Sequence, residues 1–536
     1  MSTHELPDPA SLPEAPEPRL SPWRVLIALV LVAAIAGGVY YGVHDATTTQ
    51  PARAASAKAK GPWFAPYVDT TLTPTVAFQD RGANPARDVV LGFVVAGAKA
   101  PQRCTPTWGT YQTLDSAASA LDLDRAVAQL RGVGGDAIVS FGGQANSELA
   151  VACDSLDQLE SAYRSVVDRY AANTIDFDVE GAALDDTAAN LRRAEAVRAL
   201  QSDEQRHLAV WLTLPVTPQG MNDDALAVVR TTLDSGVELA GVNVMAMDYG
   251  KAYSGDGMRG AILSSVNAAH GQLAALYAQE GARLSSAQVW RRLGVTVMIG
   301  QNDDAGEAVS VADARAVAKF AASHGVGRVS MWSLNRDVQC GVTFAVVGTH
   351  SNVCSGVKQK PLAFSKTFDG LLSGTASGSA SAGASPVTPP DLQPQATTAN
   401  RVDDPATSPY PIWQPDVAYR EGYKVVWHQA VYEARWYSSG QTPDSENVAP
   451  GDSAWRLIGP VLRTDRAPKI PTLPPGTYPK WTLTQVFRAG DRVLYHGLPY
   501  QANWYTQGDV PGGGGQGGAP SPWRPLYRIP GEPFSG

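Results

Sequence analysis

The chain has 536 residues, too many for one ordinary domain. Its formal net charge is −8, with 43 Lys and Arg against 51 Asp and Glu, which argues against an electrostatic nucleic-acid surface. The four cysteines form no CxxC pair, which argues against a zinc site and suits two structural disulfides in an exported protein.

In chain order, residues 1–24 read as a polar tail on the cytoplasmic side. Residues 25–43 are uncharged and mostly apolar, long enough to span hydrocarbon as a helix. A retained anchor and a long cleaved signal sequence are both open readings. The anchor would place the rest of the chain on the extracellular face; cleavage would secrete it. Residues 44–60 read as a spacer.

Structured sequence begins at "GPWFAPYVD". From 61 to 355, apolar runs alternate with alanine-rich amphipathic stretches. The strand candidates after the first are "DVVLGFVVAG", "DAIVSFGG", "NTIDFDVEG", "LAVWLTLPV", "GVNVMAMDYG", "LGVTVMIG" and "GRVSMWSLN". Eight strands with intervening helices predict an α/β fold, a (β/α)8 TIM barrel. An open doubly wound sheet is the alternative, but no glycine-rich phosphate loop favours it. Cys340 and Cys354 lie close in sequence and are expected to pair, leaving Cys104 for Cys153.

The stretch "TIDFDVEG" sets Asp176, Asp178 and Glu180 at alternate positions, with Ile175, Phe177 and Val179 between them. A strand has a period of two, so all three carboxylates share one face. Burying three acids side by side is costly without a purpose. The polar residues of the other strands also gather at their C-terminal ends. These are Ser140, Gly142 and Gly143, then Met245, Asp248 and Tyr249, then Trp332. Barrel active sites are built at that face.

These segments resemble those of family 18 glycoside hydrolases, commonly chitinases. "NTIDFDVEG" is similar to the acidic signature, "SFGG" to the serine-glycine-glycine segment, "VNVMAMDYG" to the sixth-strand segment and "VSMWSLNRD" to the eighth. The resemblance implies that Glu180 is the general acid/base and that Asp178 orients and stabilises a 2-acetamido group. It implies that Asp176 supports their charge state. The acetamido oxygen would then act as nucleophile, through an oxazolinium ion. Asp248, Trp332, Tyr249, Met245 and Met247 are the implied substrate-binding set, with Trp332 as floor of the sugar site.

Two departures stand out. Met247 occupies the position of the usual tyrosine, and a thioether cannot donate its hydrogen bond. Tyr249 is next door, but a continuing strand points it the other way. Asn173 stands where an aspartate often opens the motif. The segment before "GRVSMW" is too short for an inserted domain, which implies an open cleft suited to internal cuts. Trp63, Trp108 and Trp211 are either sugar platforms or core. No cofactor and no metal are expected.

Beyond the barrel, residues 363–404 read as a flexible linker of small residues and proline. Two small all-β units are then expected at 405–460 and 476–527. They repeat at a constant offset of 68: Trp413 with Trp481, Tyr432 with Tyr500, Trp436 with Trp504, Trp455 with Trp523. They resemble chitin-binding modules of carbohydrate-binding families 5 and 12. That resemblance makes Trp436-Tyr437 and Trp504-Tyr505 the sugar-facing pairs, though strand alternation suggests that one member of each is core. The whole implies an endo-type chitinase. The expected partners are chitin or N-acetylglucosamine oligomers, and the membrane if the N-terminal segment is uncleaved. A non-hydrolytic chitin- or peptidoglycan-binding protein and a hydrolase of another N-acetylhexosamine glycan are the alternatives.

Overall fold

The computed structural model describes residues 61–99, 102–202, 207–255, 257–341, 350–372, 374, 392–394, 402–445, 452–512 and 521–533. The expected apolar span at 25–43 lies outside them. Among the described residues, no helix is long and apolar enough to cross a membrane.

The central sheet is built from β1 (Trp63–Phe64), β2 (Tyr67–Asp69), β3 (Val89–Ala96), β4 (Pro106–Trp108), β5 (Gln112–Thr113), β6 (Ala137–Gly142), β7 (Thr174–Asp178), β8 (Ala209–Pro215), β9 (Leu239–Met245) and β10 (Leu293–Met298). A two-residue hairpin, β11 (Gly300–Gln301) and β12 (Ala308–Val309), stands apart, and β13 (Arg328–Trp332) completes the sheet. Its order is β1-β13-β10-β9-β8-β7-β6-β3-β4-β5, with β2 beside β3. β1 and β2 are halves of one strand interrupted at Ala65-Pro66. The first half pairs in parallel with β13 and the second with β3. The parallel sheet therefore returns on itself, a TIM-barrel-like arrangement.

Its strands are buried on both faces, as expected of a parallel sheet covered by helices, but the inward face is polar, with Ser140, Asp176, Thr213, Asn243, Thr296 and Arg328 on it. Helices Leu156–Arg169, Thr187–Gln201, Asp223–Asp234, Met258–Gln279 and Val311–His324 follow β6, β7, β8, β9 and β12 in turn. Phe177 stacks on Phe141 at 5.2 Å and meets Tyr163 edge-on at 5.1 Å, so the apolar residues of "TIDFDVEG" bind the sheet to the helix layer. The short connection from β10 to β13 holds only the small hairpin and one helix. The expected cysteine pairs are both formed, Cys104–Cys153 and Cys340–Cys354.

The structure corrects two sequence expectations. No helix lies between β2 and β3; residues 70–88 cross there as turns that bury Ala77 and Phe78. The expected linker also begins inside the barrel. Ala363–Asp369 is a helix with Phe364 and Phe368 buried, and Phe368 stacks on Phe64 at 5.1 Å. Two phenylalanines four apart make an apolar helical face, a stronger signal than the small residues after them. Further on, Leu392 is buried, and the Arg463 N–H donates to the Gln393 carbonyl at 2.9 Å.

Each repeat is a three-stranded antiparallel sheet with a two-stranded one. The first has β14 (Ala418–Tyr419), β15 (Lys424–Trp427), β16 (Ala430–Ala434), β17 (Ser438–Ser439) and β18 (Trp455–Pro460). The second has β19 (Val486–Phe487), β20 (Arg492–Tyr495), β21 (Leu498–Ala502), β22 (Thr506–Gln507) and β23 (Trp523–Pro525). Their cores match at the 68-residue offset: Tyr419, Val425, Ala434 and Trp455 against Phe487, Val493, Ala502 and Trp523.

Candidate active site

Asp176 and Asp178 are the inward residues of β7, and Glu180 continues the extended chain just past its end. Asp176 is fully buried and surrounded by donors. Its Oδ1 accepts from Thr213 Oγ1 at 2.7 Å and Arg328 Nη1 at 2.6 Å. Its Oδ2 accepts from Ser140 Oγ at 2.7 Å and the Tyr67 hydroxyl at 2.8 Å. A buried charge needs such partners. Arg328, also fully buried, donates in addition to the Tyr67 hydroxyl and to Ser330 Oγ. It lies over the rings of Trp63, Tyr67 and Trp211.

One layer higher, Asp178 is nearly buried, and its Oδ1 has no hydrogen-bond partner. Asp178 and Glu180 share a side-chain hydrogen bond. Burial, then the charges of Glu180 and Asp176, pushes the Asp178 carboxyl well above the usual carboxylate range. Burial also pushes Glu180 up to about 7; the bond to Asp178 opposes this and the charge of Asp248 adds to it. Two carboxyls this close hold protons as a set.

The glycines that end β6 make room for this layer. A Cβ on Gly142, at φ +96°, would meet the Asp178 carbonyl oxygen at 2.1 Å. One on Gly143, at φ +86°, would meet the Phe93 ring at 2.9 Å. Only glycine suits both conformation and space. Phe93 in turn stacks on Trp332 at 5.6 Å, and both rings are partly exposed. Trp332 is thus an open aromatic face backed by Phe93 and Tyr67.

Asp248 sits in the left-handed region, at φ +48°. Its Oδ1 accepts the Asp303 N–H at 2.7 Å, and the next turn is pinned by buried Glu307, which accepts from the N–H groups of Tyr249 and Gly250. Such an outlier persists only where surroundings enforce it. Burial pushes the Asp248 carboxyl up to about 6, against the Asp303 hydrogen bond.

Met245 and Met247 are partly exposed at the same end of β9. The structure does not bring Tyr249 to them. Its ring is buried in the helix layer and its hydroxyl bonds Ser265 Oγ at 2.9 Å, on helix Met258–Gln279. The strand ends at Met245, and the turn at Asp248 leaves the Tyr249 ring in the helix layer. Trp63, Trp108 and Trp211 are all buried and belong to the core. Tyr67, Phe93, Thr213 and Arg328 were not expected at the site. Arg328 left one signal, an arginine inside an apolar strand. In the repeats, Trp436, Tyr437, Trp504 and Tyr505 are all exposed, at 44, 67, 45 and 64%. Alternation misleads there because β16 and β21 end at Ala434 and Ala502, before each pair.

The arrangement supplies a carboxyl able to hold a proton near neutral pH, a neighbouring carboxyl oxygen without a donor, and an open aromatic face. No protein-family model matches the chain. It is 36% identical over 294 residues to a protein named "Probable bifunctional chitinase/lysozyme" from Escherichia coli K12, covering 53% of this chain and 32% of that one. It is 34% identical over 292 residues to "Endochitinase 11" from Metarhizium anisopliae, covering 52% and 53%. The chain thus spans from about a third to about half the length of these relatives. Among solved structures, the catalytic domain of a hyperthermophilic chitinase from Pyrococcus furiosus aligns at 25% identity and a TM-score of 0.49, covering 58% of this chain and 97% of that one.

Proposed function

We propose that this protein is a chitinase that cleaves β-1,4 bonds between N-acetylglucosamine units at internal positions, with retention of configuration. The observation that carries the reading is the unpartnered Asp178 Oδ1 beside Glu180, whose carboxyl is pushed up to about 7. Glu180 gives its proton to the glycosidic oxygen as the bond to the anomeric carbon breaks. The acetamido oxygen of the same sugar attacks that carbon and closes an oxazolinium ring. Asp178 accepts the acetamido N–H and faces the resulting positive charge. Water then attacks the same carbon, Glu180 takes its proton, and both enzyme groups return to their starting state. Asp248 and Trp332 hold the sugar, with Met245 and Met247 along its edge.

The names of the two curated relatives support chitin as substrate, and the exposed aromatic pairs suit stacking on sugar rings. Action from the outer face of a membrane, or after secretion, agrees with the two disulfides. Product analysis on N-acetylglucosamine hexamer and colloidal chitin tests the reading, with Glu180→Gln alongside. The wild type should release β-anomeric oligomers and the variant should bind without cutting. Near-normal turnover by Glu180→Gln would overturn the assignment. Cutting of peptidoglycan alone would move the substrate to another N-acetylhexosamine glycan.

A further inference from the structure

The two repeats share a fold and an exposed aromatic pair, and among the described residues it is the first whose side chains bond into the barrel. Asp122, left-handed at φ 51° and buried, opens helix Leu123–Gly132. It accepts Lys424 Nζ at 2.7 Å and the Tyr410 hydroxyl at 3.0 Å, both from the first repeat, and Arg125 Nε at 3.2 Å from its own helix. Arg125, also buried, donates to the Pro460 carbonyl and forks onto Asp465 at 2.8 and 3.1 Å. Lys424, Asp122, Arg125 and Asp465 thus form a chain of alternating charge across the seam, with each buried charge satisfied. Burial alone would push the Asp122 carboxyl up, but Lys424 and Arg125 hold it below its usual range.

Shape agrees with charge. A Cβ on Gly459 would meet the Arg125 carbonyl oxygen at 2.5 Å, so the repeat lies against the helix backbone itself. Ile458 and Glu433 face Ala77 and Phe78 across a cavity of about 50 Å³. This is the stretch between β2 and β3 that has no helix, and the repeat covers it instead. Arg435, the residue before Trp436, donates to Asp80 Oδ2 at 3.1 Å in the same stretch. The second repeat could not dock this way. At the 68-residue offset, Tyr527 stands for Gly459, Asn503 for Arg435 and Pro533 for Asp465.

We infer that the first repeat is a fixed wall of the barrel and that Trp436 and Tyr437 form a distal glycan subsite at a fixed position relative to the cleft, whereas the second repeat reaches the first through the Gly531 carbonyl, which accepts the Lys424 N–H at 2.8 Å. This deepens the proposed function and rests on it for the ligand. A fixed subsite adds transition-state affinity only to chains long enough to reach it, soluble or solid. A tethered module adds only residence on a surface.

The experiment measures kcat/KM on soluble N-acetylglucosamine tetramer and on long soluble glycol chitin, with small-angle scattering of the full chain. Trp436→Ala/Tyr437→Ala should lower kcat/KM on the long soluble chain by about 3–10-fold, the scale of one or two aromatic stacks, and by more than Trp504→Ala/Tyr505→Ala does. Gly459→Tyr places the second repeat's residue in the seam. It should enlarge the particle, lower long-chain kcat/KM to the same degree and leave tetramer cleavage as it was. Equal losses from the two aromatic pairs on long soluble chains would overturn the inference, as would a Gly459→Tyr protein of unchanged size and long-chain activity. If Gly459→Tyr misfolds, Lys424→Glu, which sets like charges at the seam, reads the same effect. A wild type inactive on every chitin substrate would refute the proposed function instead, while the scattering would still report whether the first repeat is docked.

Discussion

At the scale of single residues, the site works by spacing three carboxyls along a gradient of solvation. Asp176 has all its acceptor capacity filled by four donors, whereas Asp178 keeps an oxygen free. The sign of the pH dependence is set by the acid above them. The Glu180 carboxyl titrates at about 7, against a reference of 4.5, so the folded protein holds a proton there that the unfolded chain has released. That contribution to stability is complete below about pH 4.5 and is lost as pH rises through 7. Glu180→Gln removes this contribution, while burial keeps that of Asp178. Thermal unfolding at pH 8 should therefore show the variant more stable than wild type by about 1–3 kcal/mol, with the gap closing by pH 4. The wild-type kcat should also fall above pH 7 as the acid loses its proton. Arg328→Met leaves the Asp176 charge buried with one partner fewer, and urea unfolding should show a loss of about 3–5 kcal/mol. A loss below about 1 kcal/mol would mean that water replaces the guanidinium.

At the scale of elements, the ends of strands decide what reaches the site. β7 delivers its acids because its period survives to Glu180, and that much was legible from eight letters of sequence. β9 does not deliver Tyr249, because the chain turns at Asp248 and the ring stays in the helix layer. Tyr249→Phe should cost about 0.5–1.5 kcal/mol through the lost Ser265 bond and leave kcat/KM within about twofold. A loss of tenfold or more in steady-state kinetics would return Tyr249 to the reaction. Gly142→Ala should be far more harmful. It forces a methyl group into the Asp178 carbonyl at a positive φ, so both thermal stability and kcat should drop. The partners of Asp176 were harder to read, since Tyr67, Ser140, Thr213 and Arg328 arrive from four different strands. Each is ordinary in its own segment, and only barrel closure brings them together. The exposed pairs of the repeats were misjudged for a local reason. Alternation was extended past Ala434 and Ala502, where the strands have already ended.

At the scale of the whole molecule, composition spoke clearly for the repeats and misled about what joins them. Proline and small residues suggested a spacer, but Phe364, Phe368 and Leu392 pack against the barrel within that stretch. Nothing local to Asp122 announced that it would meet Lys424, because the contact spans 302 positions. If retention on solid chitin rests on aromatic stacking, it should persist at high salt, since apolar contact is not screened. A pull-down on insoluble chitin at low and at molar salt checks this. Release by salt alone would assign the binding to charge. Reducing the two disulfides should lower barrel stability by about 2–4 kcal/mol each, read as a shift in the denaturant midpoint.

The constant 68-residue offset also bears on how such a chain can change over generations. Tandem segments in a common register can undergo unequal crossover, which fuses the front of one copy to the back of the other and deletes the stretch between. Here the fused copy would inherit Tyr410, Lys424 and Arg435 from the first repeat, but Tyr527 and Pro533 in place of Gly459 and Asp465. Its seam would carry an aromatic ring where the Arg125 carbonyl leaves no room for a methyl group, and Arg125 would lose its carboxylate partner. Such a deletion exposes a buried charge on the barrel as well as shortening the chain. The duplication is therefore protected against simple reversal by the divergence of a few residues at a single interface.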